Sequence, residues 1–381
     1  MRRPVCVVLI FAVAASGWCA SVFLEAEAFE KTGGWVIDQQ FIDIMGSSYL
    51  LAHGLGEPVE DAATTVQFPE AGDYWVYVRT KDWVADSAAP GTAGRFQVAI
   101  DGKPLPEVFG TKGAEWFWHE GGKVRIEKRE VQIALHDLTG FEGRCDAIYF
   151  TTEHAPPPND LKELGAFRRK ALSLPEKPDE AGHFDLVVVG GGVAGTCAAV
   201  SAARLGLKVA LIQNRPVLGG NSSSEIRVWI GGKTMLPPYP RLGEIVREIS
   251  PPRRPSGSPG RKDEFGDERK LAVVKAEKNI ALYLNHHAYK VETEGNRIRA
   301  VVARHIATSR EVRFTGELFA DCTGDGTIGY LAGADYDMLE KGHMGMSNMW
   351  RVANTGKPAP FRAVRGPTTW WASPSRRNSA D

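Results

Sequence analysis

The sequence predicts a multidomain protein in which an antiparallel β-sandwich precedes an α/β domain with a parallel sheet. Two patterns carry that expectation. From Ser21 to Thr151, short runs of alternating apolar residues are broken by glycine and proline. From Phe184 onward, the β-branched run Leu186–Val189 leads into a glycine-rich turn, an alanine-rich helix and a second apolar strand, Val209–Ile212. A chain of 381 residues has room for two or three domains and a large core. Its 46 basic residues balance its 46 acidic ones, so charge favours neither nucleic acid nor an anionic membrane as partner.

In chain order, Met1–Ala20 has Arg2 and Arg3 ahead of the apolar run Val5–Ala15, then Ser16, Gly17, Trp18, Cys19 and Ala20. This is the pattern of a signal peptide, too short for a stable membrane span, and it predicts export to the periplasm or the extracellular space. The paired arginines suggest the twin-arginine route. Removal of the peptide takes Cys6 and Cys19 with it. The remaining Cys145, Cys197 and Cys322 lack metal-like or C-x-x-C spacing, so no disulfide framework is expected.

The sandwich, 21–151, is marked by Val76 and Val78 in YWVYVRT, by Phe96, Val98 and Ile100 before the Asp101–Gly102 turn, and by Val131, Ile133 and Leu135 in VQIALHD. Such spacing suits roughly seven to nine strands. Trp83, Trp116 and Trp118 are candidates for stacking against a glycan. Residues 152–183 form a linker, with Pro156–Pro158, Pro175 and Pro178 around one basic helix, Leu161–Leu172, and are expected to act as a stiff tether.

Beyond the linker, Gly190, Gly192 and Gly195 fall at the G-x-G-x-x-G spacing between strand and helix, which is a Rossmann-type dinucleotide-binding fingerprint. The first glycine permits the tight turn, the second lets backbone approach a pyrophosphate, and the third lets helix pack on strand. The N–H groups around Val193 and Ala194 would face the anion. The second strand should end in an acid for the adenosine ribose, but Gln213, Asn214 and Arg215 stand there. A Gln amide can still bond a diol, whereas Arg215 would accept a 2′-phosphate and so keeps a nicotinamide cofactor open.

Downstream, Leu318–Ala320 ends in Asp321, Cys322, Thr323, Gly324, Asp325 and Gly326. Read from the residues, Asp325 either takes a hydroxyl proton from a polyol or caps the helix that runs through Leu331. The run FADCTGDGTIGYLAGA resembles the strand-then-GD signature of FAD-dependent oxidoreductases of the glutathione-reductase-like type. The resemblance implies FAD as cofactor, with Asp325, beside Thr323 and Gly324, at its ribityl and phosphate region. It also implies that Gly219, Gly220, Asn221 and Ser222 lie along the pyrophosphate toward the isoalloxazine ring, and that backbone from Ala288 to Val291 edges the adenine. His286 and His287 have no carboxylate or cysteine at ligand spacing.

FLEAEAFE, PEAGDYWVYVRTKDW and RCDAIYFT resemble galactose-binding-like carbohydrate-binding modules. That resemblance implies glycan as a candidate partner and a structural calcium on Glu25, Glu27 and Asp146, whose oxygen ligands suit that ion. As a whole the chain resembles secreted or periplasmic bacterial FAD-dependent oxidoreductases that carry a sandwich ahead of the flavin domain. The expected flavin domain, 184–356, is then incomplete, because family members continue through a substrate domain, and 357–381 reads as a disordered tail. The implied activity is redox chemistry on a small organic, carbohydrate-related substrate. Two alternatives remain, a glycan-binding protein with an inactive flavin domain and an NAD(P)-dependent dehydrogenase. No catalytic residue is identified; His343 and Arg351 show no informative spacing.

Overall fold

The computed structural model describes residues 20–87, 89–233, 235–251, 263–339 and 341–342. The expected signal peptide up to residue 19, the 343–356 end of the expected flavin domain with His343 and Arg351, and the 357–381 tail lie outside the described residues. The chain divides into two compact units, Met1–Asp335 and Tyr336–Asp381, and every named element lies in the first. No helix among the described residues is long and apolar enough to cross a membrane.

The amino-terminal part is built from β1 (Ser21–Glu25), β2 (Val36–Asp38), the single-turn helix α1 (Ile42–Met45), β3 (Tyr49–His53), β4 (Ala62–Gln67), β5 (Gly72–Thr80), β6 (Phe96–Ile100), β7 (Lys103–Pro104), β8 (Phe117–Ile126), β9 (Glu130–Asp137), β10 (Phe141–Cys145) and β11 (Ala147–Thr151). All pairings are antiparallel, in three sheets ordered β1-β11-β5-β8, β4-β9-β6-β7 and β10-β3-β2. Alternation explains the packing. Val76 and Val78 of β5, Phe96 and Val98 of β6, and Ile133 and Leu135 of β9 all point into one shared core with Leu50, Ile148 and Phe150.

Two of the three tryptophans that were candidates for glycan stacking are buried. Trp116 packs against Tyr49 with ring centroids 5.0 Å apart, and Trp118 packs against Phe23 while its indole N–H donates to the Pro158 carbonyl. Trp83 is half-buried, stacked on Phe141 and approached by the Arg144 guanidinium. None of the three presents two free faces.

The expected linker contains α2 (Leu161–Ala171), which starts at Asp160, whose carboxylate accepts from the Lys162 and Glu163 N–H groups. This helix is docked rather than suspended: Leu164 and Phe167 pack with Phe23 and Tyr149 against the first sheet, and Arg168 is buried. The next strand, β12 (Asp179–Val189), begins before the linker was expected to end.

The rest comprises α3 (Val193–Arg204), β13 (Val209–Ile212), α4 (Gly243–Ile249), α5 (Asp267–Ala276), β14 (Ile280–Tyr283), β15 (His286–Glu294), β16 (Arg297–His305), β17 (Glu311–Asp321) and α6 (Thr327–Leu331). One six-stranded sheet runs β14-β13-β12-β17-β16-β15. The first four strands are parallel and the last two antiparallel. Small residues on α3 (Ala199, Ala202, Ala203) let it lie close on one face with Val274 of α5, while Ile328 of α6 joins Val187, Ala210 and Phe314 on the other. Phe314 is fully buried against Tyr283, centroids 4.6 Å apart and nearly perpendicular. Phe314→Ala is expected to cost about 3–5 kcal/mol in urea unfolding. A loss below about 1 kcal/mol would show that this face is not packed as described.

Candidate functional site

The parallel strands β12, β13 and β17 end at one edge of the sheet, and three loops converge there. The turn after β12 requires its glycines. Gly190 has φ +102°, and a side chain on it would collide with the Cys322 carbonyl at the end of β17. A side chain on Gly195 would collide with the Gly190 carbonyl, so α3 can approach the turn only without one. Gly192 differs, because a side chain there would meet nothing within 4 Å. No side chain caps α3, so the N–H groups of its first turn, from Val193 and Ala194 to Gly195, are left for an acceptor from outside. A diphosphate fits this cradle, being an anion beside an open glycine and a helix amino terminus.

The loop Gly219–Ser222 crosses the turn. Gly219 bridges to Gly192, its N–H donating to the Gly191 carbonyl at 2.8 Å, and Gly220 and Ser222 follow in a short 3-10 turn that leaves Asn221 exposed. Below the loop lies Lys270 of α5, a residue that sequence reasoning missed. It is fully buried, its ammonium donates to the Phe265 carbonyl, and burial pulls it below the usual lysine range. A side chain on Gly219 would strike its methylene stem. The only sequence signal was its place four residues before the buried Val274 on one helical face.

At the end of β13, Gln213 does not face an open ribose position. Its Oε1 accepts from the Gly191 N–H at 2.8 Å, and its Nε2 donates to the Val217 carbonyl at 3.1 Å. It braces the glycine turn. The Asn214 carbonyl accepts from Gln39 Nε2 at 2.7 Å, and Arg215 lies 3.7 Å from Glu225, whose carboxyl is pushed up by burial and held back by Arg215. The Val291 side chain packs against the core of the sheet. Strand β15 starts beside Gln213 at His286, and at ~3.3 Å per residue Val291 is on the order of 16 Å farther on. Val291 thus lies well along the strand from Gln213, and Ala288 is buried in the same core.

Asp321, not Asp325, caps α6. Its Oδ2 accepts from the N–H groups of Ile328 and Gly329, and its Oδ1 from both Thr323 donors. Burial opposes ionisation of Asp321, but these bonds outweigh it and hold the carboxyl below its usual range. The Thr323 hydroxyl is thereby occupied, while Gly324 and Asp325 remain exposed. Asp325 borders a cavity of about 510 Å³ that is also lined by Asp43, His287, Tyr289, Arg304 and Tyr330.

The carboxylates of Glu25, Glu27 and Asp146 meet in the interior of the amino-terminal part, with ligand oxygens within 4.8 Å of one another. Asp146 accepts from Ser47 Oγ at 2.8 Å, Arg79 Nη1 at 2.8 Å and Arg168 Nη2 at 2.5 Å. Arg168 Nε also lies 3.1 Å from Glu25. Both oxygens of Glu25 and of Glu27 lack a hydrogen-bond donor, and Glu27 is only 2% exposed. Three buried carboxyl groups thus face two guanidinium groups, one acid more than there are cationic partners. Burial, opposed by Arg168 and reinforced by Asp146, pushes Glu25 up to about 7, and burial raises Glu27 well above its ordinary value. Orphaned carboxyl oxygens of this kind fit a hard divalent cation.

Comparison with known proteins bears on the carboxy-terminal part. Residues 185–370 match the model of the family described as FAD dependent oxidoreductase. A 50-residue segment is 49% identical to glycerol-3-phosphate dehydrogenase of Mycobacterium leprae; it covers 13% of this chain, and the chain spans only 8% of that relative's length. Among solved structures, a geranylgeranyl bacteriochlorophyll reductase-like protein of Thermoplasma acidophilum is similar over 41% of this chain and 43% of its own, at 21% identity and TM-score 0.31. A family 35 carbohydrate binding module of Clostridium thermocellum is similar over 34% of this chain and 97% of its own, at 13% identity and TM-score 0.28. At such scores neither likeness bears on function.

The acid cluster predicts a particular pH response. Glu25 and Glu27 hold protons in the folded, EDTA-treated protein that the unfolded chain releases, so their contribution to stability is fully present below the unfolded carboxylate range and is lost as pH rises, for Glu25 through about 7. In EDTA, the melting midpoint is expected to fall between pH 5 and pH 8 by roughly 4–8 °C more in the natural protein than in Glu27→Gln. Equal slopes in the two proteins would contradict the assignment.

Proposed function

We propose that the chain is a FAD-dependent oxidoreductase acting on a small organic, carbohydrate-related molecule. The adenosine diphosphate part of the cofactor lies over Gly190–Gly195, the pyrophosphate along Gly219–Ser222, and the ribityl chain at Asp325. The observation that carries this reading is the contrast within the glycine turn: Gly190 and Gly195 are closed in by backbone, while Gly192 and the uncapped first turn of α3 face open space. The family match over 185–370 supports flavin rather than nicotinamide.

When bound, FAD supplies hydride or electron transfer at its ring. This chain's own groups bind and orient it. The α3 N–H groups take the phosphates, Gln213 holds the Gly191 turn in shape, and Asp325 accepts from a ribityl hydroxyl. We read the amino-terminal part, 21–151, as a galactose-binding-like β-sandwich with a calcium ion at Glu25, Glu27 and Asp146, and a glycan as its candidate partner. We read 184–356 as the Rossmann-type flavin domain. The Met1–Ala20 pattern supports export to the periplasm or beyond.

Two substitutions test the cofactor assignment by flavin-fluorescence titration with FAD. Gly192 has φ −63° and ψ −176°, which any residue adopts, so Gly192→Val is expected to keep the melting midpoint within about 2 °C yet to weaken FAD binding at least roughly 100-fold by blocking the phosphate. Asp325→Ala removes a charged hydrogen bond and is expected to cost about 10- to 100-fold in affinity. Unchanged FAD affinity in both variants would sink the proposed placement.

A further inference from the structure

We propose that occupancy of the acid cluster by a divalent cation clasps the amino-terminal β module to the nucleotide-binding sheet, acting through Arg168 and the turn Met45–Ser48. The proposal rests on the calcium reading above and extends it to this chain's own junction.

The short turn is held from both sides. On the acid side, Arg168 Nη1 donates to the Met45 carbonyl at 3.0 Å while its other nitrogens lie on Glu25 and Asp146, and Ser47 donates to Asp146. On the sheet side, the Gly46 carbonyl accepts from Arg304 of β16, and Ser48 Oγ donates to the Ile306 carbonyl at 2.5 Å. Helix α2 repeats the arrangement. Arg168 enters the acids, while its neighbour Arg169 reaches Glu311 of β17 at 3.2 Å, and Glu311 also binds Arg304 at 3.0 Å. Nearby, His287 Nε2 meets Asp43 at 2.7 Å.

These contacts make the acid cluster the anchor of the junction. The bare cluster has three carboxyl groups within 4.8 Å of one another and only two guanidinium partners, so both oxygens of Glu25 and of Glu27 are left without a donor beside Arg168 and Asp146. A cation on the orphaned oxygens of Glu25 and Glu27 takes the place of their protons, gives those oxygens the partner they lack and fixes the acids that face Arg168. Arg168 and Ser47 then hold the turn, and the turn holds Arg304 and Ile306.

The test is hydrogen exchange on the full chain with CaCl2 or with EDTA, alongside calorimetric titration of calcium. Calcium is expected to bind and to slow exchange by about tenfold in peptides covering 22–29 and 144–150, and equally in those covering 45–48 and 300–306. Arg168→Ala is expected to keep calcium binding and the local slowing but to lose the slowing at 300–306. Ser48→Ala, at the far side of the turn, carries the same expectation should Arg168→Ala not fold. Absence of calcium binding would overturn the cation reading and the clasp together. Calcium binding with slowing confined to 22–29 and 144–150 would overturn the clasp alone.

Discussion

The backbone crossing at Gly190 is the constraint on which the carboxy-terminal part depends. The Gly190 carbonyl occupies the space a side chain on Gly195 would need, and the Cys322 carbonyl occupies the space a side chain on Gly190 would need. The Cys322 N–H donates to the Val189 carbonyl at 2.7 Å and ties the ends of β12 and β17 together. Register along both strands follows, with Leu186 opposite Leu318 and Val189 opposite Asp321. From that lock α3 leaves in one direction and α6 in another, and the loop Gly219–Ser222 is laid across the remaining gap. A side chain on Gly192 would still meet nothing within 4 Å, and the opening sits there, where a phosphate would approach.

A second constraint acts in the amino-terminal part, where charge rather than backbone is close-packed. Buried acids persist only when paired, protonated or bound to a cation. Here the pairing reaches beyond the module, since Arg168 comes from a helix outside its eleven strands. The polar core of one part therefore depends on a segment that leads into the next. In the same way, Gln39 and Ser48 spend their side chains on the carbonyls of Asn214 and Ile306, just past the ends of β13 and β16.

What was legible in the sequence was local. The alternation in β5, β6 and β9 and the strand–turn–helix around Gly190 follow from residues adjacent in the chain, and they appear in the structure at those positions. Glu25, Glu27 and Asp146 come together as the resemblance implied. Their guanidinium partners were not legible, because Arg79 and Arg168 are joined to them only by tertiary packing. The Pro-rich stretch 152–183 suggested a tether, but Leu164, Phe167 and Arg168 fall on one face of α2 and bury it. Two carboxylates four residues apart, Asp321 and Asp325, competed for the role of helix cap. The strand end placed Asp321 beside the α6 N–H groups and left Asp325 for the cavity. Gln213, read as a ribose ligand, was drawn inward by the Gly191 N–H, which no spacing rule could reveal.

The central claim is that the three converging loops form a flavin site. An absorbance spectrum of the purified chain, recorded before and after denaturation, tests it most directly. The account predicts bands near about 370 and 450 nm on the folded protein and release of free FAD on unfolding. A folded protein that is colourless and stays so after incubation with FAD would contradict it.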